Sequence, residues 1–561
     1  MCGFISPPYI RSTTSQTEEH MSLGARRGRK TRRVRIIRIF SAACSFFFIW
    51  ISAGVLSDSL FLSLRVPGHR LRSQCGLISA AIYFPQYHED VNNNIFWGKG
   101  FTEWDHLHNV NFDAVAKHEI RKPLHEYTLS LRILRLHAKQ AAASGIGAFI
   151  FYSYWFEHGR RALDKPLLQL LPRKRLGNSF ALSWANEPWT RRWNGQDGND
   201  VLVTQKYGTS YEWASHFDWL KQFFSHPDYL HIDNRPVLFI YNMRHVVETV
   251  ETIVEEGDCD THSERLYGPG GLMAAELYKK WYPDVIMELS ALHKHWNKVG
   301  RAEGRQWPML PCAESNATRT LRARTLSKSS SRGSTLSRMV SFLQAYAKER
   351  GFKGIYIVGT LNTFVIAKDF DTFAGDMFDA AAQFLPMNLM NEIAEKASSC
   401  GCSSSSPFSI TPEEECPPSC ACVHNVTREL AKSQACRPAS TVERRTKFFH
   451  GAFNFWSNYP RHLKDGGVAA NAICSKPDYT SFKHLLDSQL RSSLQDMCTP
   501  ISSDNPAEIS SILLLNAWNE WGEQAVMEPT VQDGNAALLA HREAIEEIES
   551  DIDRYTESPH Q

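Results

Sequence analysis

The chain has 561 residues, of which 43% are hydrophobic and 22% charged, and its formal net charge is +2. These proportions are those of a globular protein, with enough chain for one large domain or two ordinary ones. Eight Arg and Lys residues lie within residues 26–38, so the remainder is mildly acidic. Beyond this basic tail nothing indicates a nucleic-acid surface, and we expect no nucleic-acid partner.

The first element in chain order is residues 39–57, which contain no charged side chain. A stretch of about 19 such residues can just span a bilayer. Because the basic tail precedes it, we expect a single-pass type II signal anchor with the catalytic part in the lumen of the endoplasmic reticulum or Golgi. A cleaved signal peptide is the alternative. The predicted organisation is a cytosolic tail over 1–38, an anchor over 39–57, a short stem over 58–76, a catalytic domain over 77–550 and a tail over 551–561.

Eight short apolar runs recur along the catalytic domain, with helical patterns between several of them. The runs are residues 80–84, 148–152, 180–184, 236–241, 354–358, 380–385, 448–455 and 512–515. Helical patterns cover 129–144 and 339–350, each followed by a glycine, and a final helix is predicted over 535–548. Strands that alternate with helices predict a parallel α/β sheet, and eight such units predict a (β/α)8 TIM-type barrel.

Two long segments, 246–337 and 397–446, interrupt this alternation and are interpreted as loop insertions. The second contains six of the thirteen cysteines. Their C-x-C and C-x3-C-x-C spacings fit zinc sites poorly, so we expect disulfides formed in an oxidising lumen and no metal. Asn316 and Asn425 begin glycosylation sequons in segments that read as loops.

Aromatic and polar side chains accumulate where the predicted strands end, which is where barrel enzymes carry their active sites. Sugar rings need flat aromatic faces together with amides and carboxylates that bind hydroxyl groups. Each such residue, taken alone, could instead plug the barrel mouth or cap a helix. The predicted substrate-binding residues are Tyr83, Gln86, Tyr87, Trp97, Glu103 and Trp104 after the first strand, Tyr154 and Trp155 after the second, Trp184, Asn186, Glu187, Trp189, Arg191 and Trp193 after the third, Trp456 and Asn458 after the seventh, and Asn516, Asn519 and Trp521 after the eighth.

Glu520 and Glu523 follow the last predicted strand and are interleaved with tryptophans. If the chain turns helical here, residues three apart share one face. Two carboxylates that close suit glycosidic bond chemistry, in which one protonates the leaving oxygen. The alternative is a helix start with acidic residues near its positive end.

The motifs at residues 83–88, 97–104, 184–187 and 516–521 resemble those of WbsX-type proteins, a family labelled glycosyltransferase-like. That family is in turn similar to family 99 glycoside hydrolases, the endo-α-mannosidases. The resemblance covers roughly residues 80–540. Ser153 departs from it, because the family pattern has a histidine between the tyrosines at this place.

The resemblance implies a (β/α)8 barrel and a retaining mechanism without a metal or another cofactor. Glu520 would act as a base on the substrate 2-hydroxyl, which attacks the anomeric carbon to give a 1,2-anhydro sugar. Glu523 would protonate the leaving oxygen and then activate water or an acceptor alcohol. Glu523 should then have a raised pKa while Glu520 stays ionised.

These observations favour a carbohydrate-active enzyme, an α-mannosidase-like, endo-acting hydrolase of oligosaccharides or polysaccharides in the secretory pathway. A glycosyltransferase or transglycosylase is the first alternative. Three Asp-x-Asp motifs, at 258–260, 369–371 and 551–553, fit a metal-dependent transferase but occur in unrelated settings. A non-catalytic carbohydrate-binding protein is the second alternative, against which the retention of both glutamates counts.

Overall fold

The computed structural model divides the chain into two units, Met1–Arg65 and Val66–Gln561. The residues it describes lie in the second unit and are 67–557 except for 111–119, 157–158, 172–173, 192–200, 206, 208–209, 249–334, 364–369, 371–376, 398–418, 436–445, 463–471, 475 and 496–508. The predicted anchor, Trp193, Asn316 and most of the first predicted insertion lie outside these residues. None of the helices in the described part of the chain is long and apolar enough to cross a membrane.

Nine parallel strand segments form the central sheet of the described residues. They are β1 Leu77–Tyr83, β2 Ile146–Trp155, β3 Ser179–Trp184, β4 Arg235–Ile240, β5 Tyr356–Leu361, β6 Ala380–Gln383, β7 Lys447–Phe449, β8 Gly451–Phe453 and β9 Ser511–Asn516. Their order is β7-β6-β5-β4-β3-β2-β1-β9-β8. Only His450 separates β7 from β8 in the chain, so the two ends of the sheet meet in one segment and the sheet forms a nearly closed barrel.

The predicted parallel α/β barrel is thereby confirmed. Each of the eight apolar runs overlaps a barrel strand, and the run 448–455 contains both β7 and β8. Every residue of β1 and of β9 is buried. Strands covered on both faces read as continuous apolar runs, which is why the sequence revealed them.

The helices surround the barrel or lie in its loops. They are α1 His69–Cys75, α2 Val91–Trp97, α3 Trp104–His108, α4 Leu131–Ala143, α5 Lys165–Leu168, α6 Ser210–Phe224, α7 Met243–Glu248, α8 Thr335–Glu349, α9 Met390–Ala397, α10 Cys420–Ala435, α11 Tyr459–His462, α12 Tyr479–Gln495 and α13 Ala536–Glu557. The three predicted helices correspond to α4, α8 and α13. Gly145 and Gly351 follow α4 and α8 with φ of 87° each, a left-handed conformation that ends a helix.

The second predicted insertion is only partly an insertion. Its residues 420–435 form α10, which buries Val423 and Ala431 and packs against α12. A disulfide joins Cys420 to Cys474, which lies outside the predicted insertion. Asn425 is exposed on this helix rather than in a loop. The serines, prolines and cysteines around the helix obscured its periodicity in the sequence.

Candidate active site

The segment after β9 places the two glutamates on a tight turn. Asn519–Glu520 pairs antiparallel with Ala525–Val526, and Trp521–Glu523 between them form a single 3₁₀ turn. Gln524 closes the turn with φ of 54°. The chain is therefore helical here as the sequence suggested, but over one 3₁₀ turn rather than an α-helix.

Arg461, on α11, connects this turn to the loop after β1. Its Nη1 donates to Glu523 at 2.5 Å, and its Nη2 donates to Glu520 at 3.1 Å and to Glu103 at 2.9 Å. Nε donates to the same Glu103 oxygen at 3.2 Å. The side chains of Arg461 and Glu103 are 4% and 1% exposed, so this cluster is desolvated. One buried guanidinium thus binds three carboxylates from two loops.

Three acids around one cation make ionisation costly. Burial and, after it, the charge of the nearby Glu523 raise the pKa of Glu520 to about 8 against the opposing effect of Arg461. Burial also raises the pKa of Glu103 against the influence of Arg461. The expectation that Glu520 stays ionised in the free protein is therefore not supported at neutral pH, because burial and the charge of Glu523 outweigh the attraction of the Arg461 guanidinium.

Glu523 lies at the solvent edge of the cluster, with its side chain 20% exposed. Its second oxygen accepts a hydrogen bond from Trp456 Nε1 at 2.8 Å. Glu187 lies on another loop and accepts from Asn242 Nδ2 at 3.3 Å. The pKa of Glu187 is raised to about 7, mainly by burial and in part by the charge of Glu523, while the hydrogen bond from Asn242 opposes the rise.

A cleft of about 460 Å³, including solvent at its mouth, opens beside Glu103 and Arg461. Its lining combines rings with polar groups, namely Phe84, Gln86, Asn93, Trp97, Phe101, Glu103, His106, Tyr154, Trp189, Thr190 and Arg461. Five predicted substrate-binding residues, Gln86, Trp97, Glu103, Tyr154 and Trp189, are therefore brought together. Asn93, Phe101 and His106 were missed, although all three lie close in sequence to Trp97 or Glu103.

Several other predicted binding residues lie in the core beneath the turn. Tyr83 is buried, and its hydroxyl is 2.8 Å from His137 Nδ1. The hydroxyl of Tyr87 donates to the carbonyl of Asn519. Trp104 Nε1 donates to the Tyr127 carbonyl at 2.9 Å. Trp521 is fully buried as well, so none of these four side chains lines the cleft, and we assign them structural roles.

Two predicted binding asparagines connect neighbouring strand ends. Asn519 accepts from the Phe84 amide at 2.8 Å and donates to the Phe84 carbonyl at 3.0 Å. Asn186 accepts from the Asn242 amide at 2.7 Å and donates to the Asn242 carbonyl at 2.7 Å. Each side-chain amide replaces a backbone ladder pair where the strands diverge, so both residues stabilise the barrel rim.

The remaining predicted residues lie beside the cleft or behind it. Trp155 stacks on His216 with ring centroids 4.8 Å apart, and Trp184 Nε1 donates to the Trp155 carbonyl at 2.9 Å. Asn516 donates to the Leu385 carbonyl at 3.1 Å. Arg191 and Asn458 are partly exposed. Because side chains alternate along β2, Tyr154 faces the cleft while Trp155 faces α6.

Two observations bear on metal-dependent chemistry. Within the described ranges, no three His, Cys, Asp or Glu side chains are grouped as ligands of a metal ion. Asp551 of the last Asp-x-Asp motif lies on α13 and binds Arg491 of α12 at 2.7 Å. The acidic residues of the other two motifs lie outside the described residues.

The WbsX glycosyltransferase family model matches residues 79–266 and 329–541. Two relatives, uncharacterized WxcX proteins from two Xanthomonas campestris strains, are each 35% identical over 175 residues, which is 31% of this chain and 25% of theirs. The chain thus spans about a quarter of the length of these relatives.

Similar solved structures share little sequence with the chain. An endo-α-mannosidase of family 99 from Bacteroides thetaiotaomicron is 10% identical, covering 85% of this chain and 98% of its own, with a TM-score of 0.37. A glycoside hydrolase-like protein is also 10% identical, covering 87% and 98%, with a TM-score of 0.43. At these scores the comparisons carry no argument about this chain.

The family match, unlike these structural comparisons, is a match in sequence. It covers more than half of the chain and includes both the loop after β1 that carries Glu103 and the turn that carries Glu520 and Glu523. The resemblance seen in the sequence motifs is thereby confirmed. This protein therefore belongs to the WbsX glycosyltransferase family.

Proposed function

We propose that this enzyme is a retaining, endo-acting glycoside hydrolase, α-mannosidase-like in its substrate class, which cleaves glycans with Glu520 and Glu523. One observation carries the proposal: both carboxylates bind the same buried guanidinium, Arg461, beside a cleft lined by aromatic rings. Paired acids of this kind are the chemical equipment of glycosidic bond cleavage.

The cleft supports a sugar as the bound molecule. Trp97, Phe101 and Trp189 present apolar surface on which the C–H faces of a sugar ring can pack. Gln86 and Glu103 add an amide and a carboxylate, which bind hydroxyl groups. The arrangement suits a neutral, polar ring better than an apolar ligand.

Glu520 is proposed as the base that takes the proton of the substrate 2-hydroxyl. A base works best when its pKa lies near the operating pH, because a weaker base has little affinity for a hydroxyl proton. The raised pKa of Glu520, about 8, suits this role once the carboxyl is ionised. Arg461 would offset the negative charge that appears when Glu520 loses its proton.

Glu523 is proposed as the acid that protonates the leaving oxygen and then activates water. It is the most exposed of the three carboxylates at Arg461, and an incoming water can reach it from the solvent side. The hydrogen bonds from Arg461 and Trp456 orient the carboxylate toward one position.

Transfer of sugar to an acceptor is the second candidate, and the family name is the observation in its favour. An acceptor alcohol would take the place of the water activated by Glu523, with no change in the other residues. A transferase that uses a nucleotide sugar would instead need that activated sugar as its donor, in addition to the glycan.

Incubation of the full-length protein with mannose-, glucose- and galactose-containing oligosaccharides, without nucleotide sugar, tests the proposal. We expect shortened glycans by mass spectrometry, formed far more slowly by the matched Glu523→Gln variant. Glycans extended by the donor fragment would indicate transglycosylation. Product formed only after addition of a nucleotide sugar would contradict the hydrolase proposal.

A further inference from the structure

Helix α2 presents two residues to the cleft. Asn93 and Trp97 are four residues apart and therefore lie on the same face of the helix. Both line the cleft, together with Glu103 and Trp189. An amide and an indole ring are thus held side by side by one short helix.

Asn93 differs from the asparagines on either side of it. Asn92 donates to Asp90 at 3.0 Å and accepts from Arg160 at 3.0 Å. Asn94 donates to Glu89 at 2.9 Å and accepts from the Gly100 amide at 2.7 Å. These contacts fix α2 and the following loop, so both neighbours have structural tasks that their side chains fulfil within the protein.

The side chain of Asn93 has no such task. The residue is 1% exposed, yet neither Oδ1 nor Nδ2 has a hydrogen-bond partner among the residues that the structure describes. A buried amide without partners is unfavourable, because its polar atoms lose their hydrogen bonds to water and gain none in the protein. Native structures contain few such groups, and those that face a cleft are candidates for binding a ligand.

We infer that Asn93 is a specificity-determining residue that binds two adjacent hydroxyl groups of the sugar ring stacked on Trp97. The inference rests on the proposed function for the kind of ligand. A side-chain amide offers two N–H donors and an acceptor oxygen in one plane. A vicinal diol can accept from the amide nitrogen through one oxygen and donate to the amide oxygen through the other. Such a site selects sugars by the position and orientation of two hydroxyls.

The substitution Asn93→Leu tests the inference, because it keeps the approximate size of the side chain and removes both polar atoms. We expect unchanged or increased thermal stability, since the unsatisfied amide is gone. The control Asn92→Leu should lower thermal stability, because it breaks the contacts with Asp90 and Arg160. A drop in stability for Asn93→Leu as large as that of the control would make Asn93 structural and overturn the inference.

Binding is measured in a Glu523→Gln background, which prevents turnover during the titration. The probes are linear α-manno-oligosaccharides and their gluco and galacto counterparts of equal length, followed by tryptophan fluorescence and calorimetry. For the probe that binds best, Asn93→Leu should weaken binding by about tenfold to a hundredfold, because two hydrogen bonds to hydroxyls are lost. Equal affinity with and without the amide, or no binding of any probe up to millimolar concentrations, would overturn the inference.

Monodeoxy analogues of the best probe identify the hydroxyl pair. Removal of either hydroxyl should weaken binding when Asn93 is present and have little effect in Asn93→Leu. Equal losses in both proteins would overturn the inference. The outcomes distinguish this inference from the proposed function. If binding depends on Asn93 but the unsubstituted protein cleaves no glycan, only the proposed hydrolase activity is contradicted. If the protein cleaves glycans but its affinity for them does not depend on Asn93, only the inference about Asn93 is contradicted.

Discussion

At the scale of single residues, the site is governed by an imbalance of charge. Glu103, Glu520 and Glu523 share the one guanidinium of Arg461, and the first two are almost completely buried. Three full negative charges cannot be compensated by one cation, so a proton remains at the cluster near neutral pH. Burial and the charge of the neighbouring Glu523 both raise the pKa of Glu520, to about 8.

Replacement of either glutamate of the pair by glutamine tests its role in catalysis. Glu520→Gln and Glu523→Gln should each lower turnover by about 10²–10⁴-fold, the usual effect of losing a positioned acid or base. Affinity for the substrate should be largely kept, because an amide still binds hydroxyls. Glu349→Gln, on the exposed side of α8, is the matched control and should have normal activity. Undiminished turnover in both site variants would exclude the pair.

Leaving-group dependence separates the two roles. A substrate with a very good leaving group needs no acid, so it should partly restore cleavage by Glu523→Gln but not by Glu520→Gln.

The pH dependence of kcat/KM tests the role of Glu520 as a base. The carboxylate form is required for a base and is populated above the pKa of about 8, so the rate should increase as the pH rises through this value. Residual activity in Glu520→Gln should lack this ascending limb. A rate that falls through the same pH would instead assign Glu520 as the acid.

The pH dependence of stability tests the raised pKa of Glu520 independently of catalysis. The folded pKa of Glu520 lies above its ordinary value of 4.5, so the folded state holds a proton that the unfolded state has lost. Stability due to this group therefore decreases as the pH rises from 4.5 through about 8. Thermal unfolding of Glu520→Gln should lack that decrease.

At the scale of elements, side-chain amides join the strand ends that carry the loops. Asn519 bridges the turn after β9 to the end of β1, and Asn186 bridges the ends of β3 and β4. These side-chain amides continue the hydrogen bonding between neighbouring segments beyond the last backbone pairs of the strands. Asn519 thereby fixes the start of the turn that carries Glu520 and Glu523.

Alanine at these positions should destabilise the protein. Asn186→Ala and Asn519→Ala leave buried backbone groups without partners, so each should lower the free energy of unfolding by about 1–3 kcal/mol. Asn391→Ala, exposed on α9, is the control and should leave denaturant unfolding unchanged. A specific kinetic defect in Asn186→Ala at unchanged stability would restore the sequence-based hypothesis that this residue contacts substrate.

Helix α10 should also contribute to stability through its disulfide. The Cys420–Cys474 bond closes a loop with a sequence separation of 54 residues. Loss of a native disulfide of this kind lowers the free energy of unfolding by about 2–5 kcal/mol. Cys420→Ser, Cys474→Ser and the double variant should be destabilised to a similar extent, because all three lack the same bond. Additive losses would show that each cysteine contributes separately.

At the scale of the whole molecule, the barrel is described by the structure, whereas the N-terminal anchor is predicted from the sequence. The barrel is built from nine strand segments that close through His450, and its core is continuous. The anchor over residues 39–57 remains a prediction from composition and charge alone.

Protease treatment of intact microsomes tests the proposed topology. The chain beyond residue 60 should be protected until detergent is added, because the basic tail keeps the N-terminus on the cytosolic side. Sensitivity of the protein to endoglycosidase would place Asn316 or Asn425 in the lumen. Digestion of the catalytic part without detergent would contradict a type II orientation.

The sequence by itself determined the barrel and the family, and it identified Glu520 and Glu523 as the candidate catalytic pair. Buried parallel strands are apolar along their whole length, so 80–84 or 512–515 can be read as strands without knowledge of their neighbours. The motifs around Glu103 and Glu520 are contiguous in sequence and identify the family. Both kinds of information are local.

Only the tertiary structure decided what each rim residue does. Tyr83 and Trp521 look like sugar-stacking residues in the sequence, yet both are buried in the core. Asn186 and Asn93 are the same residue type, but the amide of Asn186 binds the backbone of Asn242 after β4. The amide of Asn93 has no hydrogen-bond partner among the residues that the structure describes, and the residue lines the cleft. The pKa of Glu520 likewise depends on burial and on a guanidinium 59 residues away in the chain. Contacts between distant segments set these properties, so no local pattern of residues could predict them.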